Sequence, residues 1–393
     1  MPLMLWALLA GNFAIGTGVM AAAATLNEIS AFFGVSVSVA GYLITAAGVV
    51  VCVGAPALAS VVAPFDRRHL LALSMLWYGA MHALCTLAPS FGWLLVLRVL
   101  AVVPAAVFTP QAAACAGMLV PLAQRGRAIT FVFVGWSLAS VLGMPLNAWL
   151  SGAFGWQGAY LMVAALSFAS AGWLWYAMPA NVRPPRFALS NWGAALRSQP
   201  LMLCIAVTLL SAAGQFVLFA YFAPYFKTTL GASAQQLGAL FLCFGAFGLV
   251  GNVLMSRFID RIGAPRGAMI AMVGMALSLL LWPVGETIVL AAIVAIPWAL
   301  GCFSANSAQQ ARLVALAPSL ASGSIALNTS AMYAGQAIGA AAGGWLIDQQ
   351  GMGSLHMAGL VLLVLAMVTS VAATRSGTRA AIAAADDPAR RAA

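Results

Sequence analysis

The pattern along the chain is neither a two-residue alternation nor an amphipathic stripe. It is a series of apolar runs of about 20 residues, separated by short breaks rich in charge, Pro or Gly. A helix needs about that length to cross ~30 Å of hydrocarbon at ~1.5 Å per residue. Barrel strands would alternate over ~10-residue segments, whereas a stretch such as Leu70 to Ala88 shows no alternation. The breaks predict twelve helical spans, starting near residues 3, 38, 70, 92, 128, 158, 200, 236, 268, 288, 324 and 355. Apolar residues make up 64% of the 393 positions and charged residues 6%, against about 25% charged in a soluble domain. Lipid is therefore the expected solvent, and the expected fold is an all-α membrane protein of twelve transmembrane helices arranged as two six-helix halves.

The longest polar break divides the chain into six spans and six. It runs from Pro179 to Gln199 and contains the helix-breaking pair Pro184 and Pro185. The expected domains are an N-terminal half at 1–178, a cytoplasmic linker at 179–199, a C-terminal half at 200–375 and a disordered cytoplasmic tail at 376–393. Nothing charged precedes Glu28, and Met1 to Thr25 is as long as the later spans, so this segment reads as the first helix and not as a cleavable leader. Cys52, Cys85, Cys115, Cys204, Cys243 and Cys302 fall in apolar spans without metal-ligand spacing, so no disulfide, metal or cofactor is expected.

A net charge of +10 raises the question of nucleic acid, but the distribution of that charge follows membrane topology. With both termini on one side, every one of the 17 basic residues except Lys227 and Arg98 falls in a loop or tail on that side, Arg312 included. Glu28, Glu286 and Asp348 fall on the other. The excess of basic residues in cytoplasmic loops puts both termini inside a cell (inner) membrane. The lipid bilayer is the expected partner and nucleic acid is not.

The chain also repeats itself. Gly34 and Gly41 before span 2 recur as Gly231 and Gly238 before span 8, an offset of 197 residues, and Gly54 and Asp66 recur as Gly248 and Asp260 at 194. Ala10-Gly11-Asn12-Phe13 reappears as Ala213-Gly214-Gln215-Phe216. Gly135, Ala139 and Gly143 in span 5 return 200 residues later as Gly335, Gly339 and Gly343 in span 11. Two parallel six-helix repeats suit alternating access, in which one half rocks against the other around a central site. The small-residue rows on spans 5 and 11 permit the close backbone approach that a sliding interface requires.

These residues resemble the major facilitator superfamily, in particular its arabinose-efflux-like and drug:proton antiporter branch, over residues 1–376. The likeness is carried by Gly54-Ala55-Pro56 leading to Asp66-Arg67-Arg68, by Arg98 in span 4, and by Gly143-Met144-Pro145 in span 5. Gly155-Trp156, Gly214-Gln215-Phe216 and Asp260-Arg261 with Gly263 add to it. The resemblance implies a central cavity, proton-driven efflux, and contacts of Asp66 with the start of span 11 and of Asp260 with span 5 that close an inner gate. There are departures. Val62 and His69 stand where the family's loop has Gly, and the middle of span 1 reads Gly16-Thr17-Gly18-Val19-Met20, without the carboxylate many relatives carry.

The candidate gating residues are thus Asp66, Arg67, Asp260, Arg261, Gly143, Pro145, Gly335 and Gly339. Arg98 lies a third of the way into span 4, where an unpaired charge costs roughly 2.5 to 3.5 kcal/mol by insertion scales. It is a candidate substrate contact, the competing role being a brace between helices. Thr109 falls on the same stripe. Asn12 and Gln215 occupy matching places in the two repeats, and Thr17, Tyr221, Asn306, Tyr333 and Gln336 extend a neutral, hydrogen-bonding lining. His82 in span 3 is the one histidine that could carry a proton within a span, with a structural role as the alternative. No His/Glu or Ser/Lys constellation and no Walker motif supports an enzyme, and no soluble domain supports a sensor. The expected function is secondary active transport, outward, of a small neutral or anionic organic solute by a monomer, with protons as candidate coupling ions. An uptake facilitator for a sugar or small organic acid is the alternative.

Overall fold

The computed structural model describes residues 2–62, 64–121, 125–183, 193, 196–317 and 321–385. Twelve helices span these residues, with no strand among them. The N-terminal half contains α1 (Leu3–Ala24, continued by Leu26–Phe33), α2 (Val37–Ala40, continued by Tyr42–Val61), α3 (Arg67–Cys85) and α4 (Phe91–Met118). It ends with α5 (Arg125–Leu138, a π-helical turn at Ala139–Gly143, then Met144–Phe154) and α6 (Trp156–Ala177). The C-terminal half contains α7 (Gln199–Phe219, continued by Phe222–Leu230), α8 (Ala234–Ile262), α9 (Ala264–Leu280), α10 (Ile288–Leu316), α11 (Ala321–Gln350) and α12 (Leu355–Ala385). Every start lies within four residues of its expected place.

Nine of the described helices are long and apolar enough to cross a membrane by length and composition. The other three have visible reasons for falling short. α3 opens on Arg67-Arg68-His69, α9 has 17 residues, and α11 is rich in Ser, Asn, Gln and Gly. With an even number of passes the two termini share one side, here called the terminal side; the opposite side is the distal side.

Local chemistry sets the helix boundaries. Side-chain oxygens of Ser36, Asp66, Ser90, Ser233 and Thr287 accept from first-turn backbone N–H groups that have no intrahelical partner. Gly34 and Gly231, equivalent in the sequence repeat, end their helices in the same left-handed conformation (φ +64° and +63°), which a side chain would strain. The π turn in α5 lies just before Pro145, whose ring nitrogen cannot donate to the ladder.

The small-residue rows act differently from expectation. A Cβ added at Gly135 would stand 2.4 Å from the carbonyl oxygen of Leu9, and one at Gly335 would stand 2.3 Å from that of Leu209. Gly339 meets the Ala213 carbonyl and Gly143 meets the Thr17 side chain in the same way. The rows therefore clamp α5 to α1 and α11 to α7, inside each half, and are not the interface between halves. That interface consists of two seams. In the α2/α11 seam Gly48 sits 2.8 Å (as an added Cβ) from the Tyr333 carbonyl; in the α5/α8 seam Gly245 sits 2.5 Å from the Ser140 carbonyl and Gly152 sits 2.5 Å from the Ala234 side chain. Gly48 and Gly245 are themselves equivalents at the 197-residue offset, so the duplication built the seams as well as the halves.

Two further boundaries move. Arg312, expected in a loop, is inside α10 and buried, its guanidinium donating to Ser370 and Thr374 of α12. α12 continues to Ala385, past the boundary expected at residue 375.

Candidate solute pathway and gates

The polar residues in the middle of the helices fall into one cluster per half. In the N-terminal half Asn12 is fully buried. Its amide donates to the Val132 carbonyl (3.0 Å), and its oxygen accepts from Thr109 (2.9 Å). The indole of Trp136 donates to the same Thr109 hydroxyl at 3.2 Å. One chain of hydrogen bonds thus ties α1, α4 and α5, with Thr109 and Trp136 half-buried.

In the C-terminal half the equivalent residue, Gln215, is half-buried. It accepts from the Trp298 indole at 3.3 Å and donates to the Ser211 carbonyl at 3.3 Å. A second chain runs from Thr208 to Asn328 (2.6 Å) and from Asn328 to Asn306 (3.0 Å), joining α7, α11 and α10. Gln336 stands half-buried on α11, three positions after the buried Tyr333. Thr17 lies apart from these chains, packed on Gly143 at the α1/α5 contact, with its carbonyl accepting from Asn147 at 2.9 Å. Trp136, Thr208 and Asn147 were not singled out from sequence, because a Trp or Thr in an apolar run carries no periodic signal.

Arg98 is fully buried. Its guanidinium donates to the carbonyls of Gly18 (2.9 Å) and Val19 (3.0 Å) and to His82 Nε2 (3.0 Å), and it lies 5.9 Å from the Tyr160 ring centroid. An arginine only donates, so Nε2 is the acceptor and Nδ1–H donates to the Tyr78 carbonyl at 2.8 Å. His82 is therefore neutral in this arrangement. The one deep cation of the N-terminal half is spent on protein groups of α1 and α3, which is the bracing geometry and not that of a charge presented to a solute.

The terminal-side gate residues engage their own half. Asp66 accepts from the backbone N–H groups of Arg68 (2.8 Å) and Asn181, the latter just after α6, and lies 3.8 Å from His69. Arg67 is buried and donates to the carbonyls of Val62 (2.8 Å) and Phe65 (2.7 Å), while its backbone N–H donates to Val182. The contact between Asp66 and the start of α11 that the resemblance implied involves residues 318–323, which lie at or beyond the edge of the described residues, side chains included. Asp260 ends α8 with its side chain outside the described residues, and Arg261 is exposed in the same turn. Pro145 follows the π turn, its carbonyl 3.8 Å from a Cβ placed at Gly238.

Among the described residues, the polar side-chain contacts that cross between halves lie on the distal side. Ser38 of α2 donates to Asp348 of α11 at 2.5 Å, and Lys227 of α7 pairs with Glu28 of α1 at 3.5 Å. Tyr221, expected among the solute contacts, is buried at this distal end, donating to the Ala340 carbonyl at 2.8 Å.

The arrangement has counterparts. The "Inner membrane transport protein YdhP" of Escherichia coli (strain K12) is 28% identical over 372 residues, covering 92% of this chain and 95% of its own. The "Purine ribonucleoside efflux pump NepI" of Salmonella enteritidis PT4 is 25% identical over 348 residues, covering 88% and 87%. Among solved structures, that of a D-xylose-proton symporter superposes with a TM-score of 0.76 over 94% of this chain and 96% of its own; at 17% identity it speaks for the fold alone. The sequence profile of the Major Facilitator Superfamily matches residues 8–324 and again 204–390, the second match restarting in the repeat. With twelve helices in two clamped halves, nine of them long and apolar enough to cross a membrane, this chain is an integral multi-pass membrane transporter and belongs to the Major Facilitator Superfamily.

Proposed function

We propose that the protein is a secondary active transporter that exports a small neutral or anionic organic solute across the cell (inner) membrane, working as a monomer with both termini in the cytoplasm. The halves at 1–178 and 200–375 rock about the two seams, and the linker at 179–199 keeps them in register. The observation that carries alternating access is the one-sided distribution of polar contacts between halves. Among the described residues they gather at the distal end, whereas on the terminal side Asp66 and Arg67 are held by groups of their own half and by the start of the linker. This is the arrangement of a transporter shut on one face and free to admit solute from the other.

The substrate class follows from the two polar clusters, which contain Asn, Gln, Thr and Trp but no carboxylate. Such groups recognise hydroxyls, amides and ring nitrogens, and they offer a cation no carboxylate, only the weaker attraction of an indole face. Export is supported by the family's efflux members, among them the purine ribonucleoside pump. The middle of α1 offers no proton-carrying side chain, so coupling to protons through that helix is not part of the proposal.

Counterflow in vesicles containing the purified chain tests this, using matched neutral, anionic and cationic solutes with and without a pH gradient. Accelerated exchange of neutral polar or anionic compounds is expected. Exchange confined to cations would overturn the substrate class. Thr109→Val, which removes the hydroxyl shared by Asn12 and Trp136, should raise KM about fivefold to twentyfold.

A further inference from the structure

The two seams are equivalents in the duplication, yet their distal ends are built differently. At the distal end of α5/α8 Gly152 packs against the methyl of Ala234 and Gly238 lies near the Pro145 carbonyl. The distal end of α2/α11, with the adjoining α1/α7 contact, has three specific side-chain contacts. The Tyr221 hydroxyl sits in a slot lined by both halves. A Cβ at Gly41 of α2 would lie 2.1 Å from that oxygen and one at Gly344 of α11 would lie 2.6 Å from it, and the hydroxyl donates to the Ala340 carbonyl. Beside it Ser38 donates to Asp348, with Ser36 and Ser38 hydroxyls 2.7 Å apart. Further out, Lys227 faces Glu28.

The charges add a second point. Lys227 is the one basic residue that the positive-inside pattern leaves on the distal side, and it faces an acid of the opposite half. Glu28, Asp348 and Lys227 therefore keep these partners only while the halves are together there.

We propose that Tyr221, Ser38, Asp348, Glu28 and Lys227 form a latch that sets the balance between distal-closed and distal-open states. Distal opening starts at the α2/α11 seam, and the α5/α8 seam acts as the pivot. Tyr221 is the bolt. Its ring belongs to the C-terminal half, and its hydroxyl reaches a helix of the N-terminal half through a gap that exists only because position 41 is Gly. The two polar pairs hold the gap shut around it. The latch rests on the alternating-access reading, but its test measures distances and needs no substrate.

The test uses the full-length chain in lipid nanodiscs, with the six native cysteines replaced and spin labels at two exposed pairs. Ala31→Cys with Gln349→Cys reports the latched seam, and Phe154→Cys with Gln235→Cys reports the other. In an Asp348→Asn/Lys227→Gln background the long-distance population at 31/349 should rise roughly tenfold, the combined weight of one charge-assisted hydrogen bond and one exposed ion pair. The change at 154/235 should be smaller. Tyr221→Phe, which keeps the ring, should raise it by roughly threefold to fivefold. Exchanging the pair as Glu28→Lys/Lys227→Glu should return the distribution to within about twofold of wild type, a result that loss of folding cannot mimic. Unchanged distances in the neutralised background, or equal widening at both seams, would overturn the latch. A latch that responds as described while no solute exchanges would instead count against the proposed substrate class.

Discussion

Replacing Arg98 separates a brace from a solute-binding charge. The side chain is fully buried and makes three hydrogen bonds, two to carbonyls of α1 and one to His82 of α3. Hydrogen bonds between membrane helices are worth ~0.6 kcal/mol each on average, and those from charged donors ~1.5 to 3 kcal/mol. The Gly18 and Val19 carbonyls lie in a helix and keep their ladder partners, and no buried acid is left unpaired. The upper range for a broken ion pair therefore does not apply. Arg98→Ala should cost about 3 kcal/mol, and Arg98→Lys about half of that, because a single ammonium cannot fork between α1 and α3. Unfolding of the purified chain in mixed micelles, titrated with a denaturing detergent, gives the free energies. The same preparations, reconstituted, give the ranking of neutral, anionic and cationic solutes, which should not change. Wild-type stability for Arg98→Ala together with a new preference for cations would refute the reasoning, since it would put the guanidinium in the solute's path.

The glycines that clamp each half should be intolerant of even a methyl group: Gly135→Ala and Gly335→Ala should each lose about 1 to 3 kcal/mol in the same assay. Gly172→Ala, with no atom within 4 Å of the added carbon, should change stability by less than ~0.5 kcal/mol. Asp66→Asn removes the ionised cap of α3 and weakens the tie to Asn181, so transport should fall while expression holds; unchanged cysteine accessibility on both faces with wild-type transport would exclude a gating role.

How much of this was legible in the sequence depends on the range of the interaction. The twelve helices were, because crossing a bilayer imposes a length and a composition on each span separately. The duplication was too, and the structure gives its spacing a physical meaning. Gly34 and Gly231 share a left-handed turn, and Gly135 and Gly335 rest on carbonyls of the first helix of their own half. What the small-residue rows could not reveal was their partner. A row of small groups says that some backbone comes close, and does not say whether it belongs to the same half or the other. The same limit applies to Asp66. Its neighbours in sequence marked it as a gate, but they carry no information on the groups it accepts from, the N–H of Arg68 and that of Asn181, 115 residues away.

The residues of the distal latch lay in plain view as an odd cation and a pair of acids, and what hid their meaning was sequence distance. Ser38 and Asp348 are 310 residues apart, and no periodicity links a serine before one helix to an aspartate at the end of another. The polar clusters show the complementary case. Asn12 and Gln215 were matched by the repeat, and the structure keeps the match while giving each a different partner: Thr109 and Trp136 for Asn12, Trp298 for Gln215. Around Trp298 the C-terminal half has added Phe219, Phe222, Phe244 and Trp282, all within about 6 Å between ring centroids. At the offset that pairs Gly48 with Gly245, Phe244 corresponds to Ala47. The two halves have thus kept one backbone plan and diverged in what fills it, with a hydrogen-bonded chain centred on Thr109 in one and an aromatic wall capped by a single amide in the other. Under the proposed function, a solute held between the halves is read by that difference, through the half-buried Thr109 and Trp136 on one side and the half-buried Gln215 on the other, and no single residue of the repeat carries it.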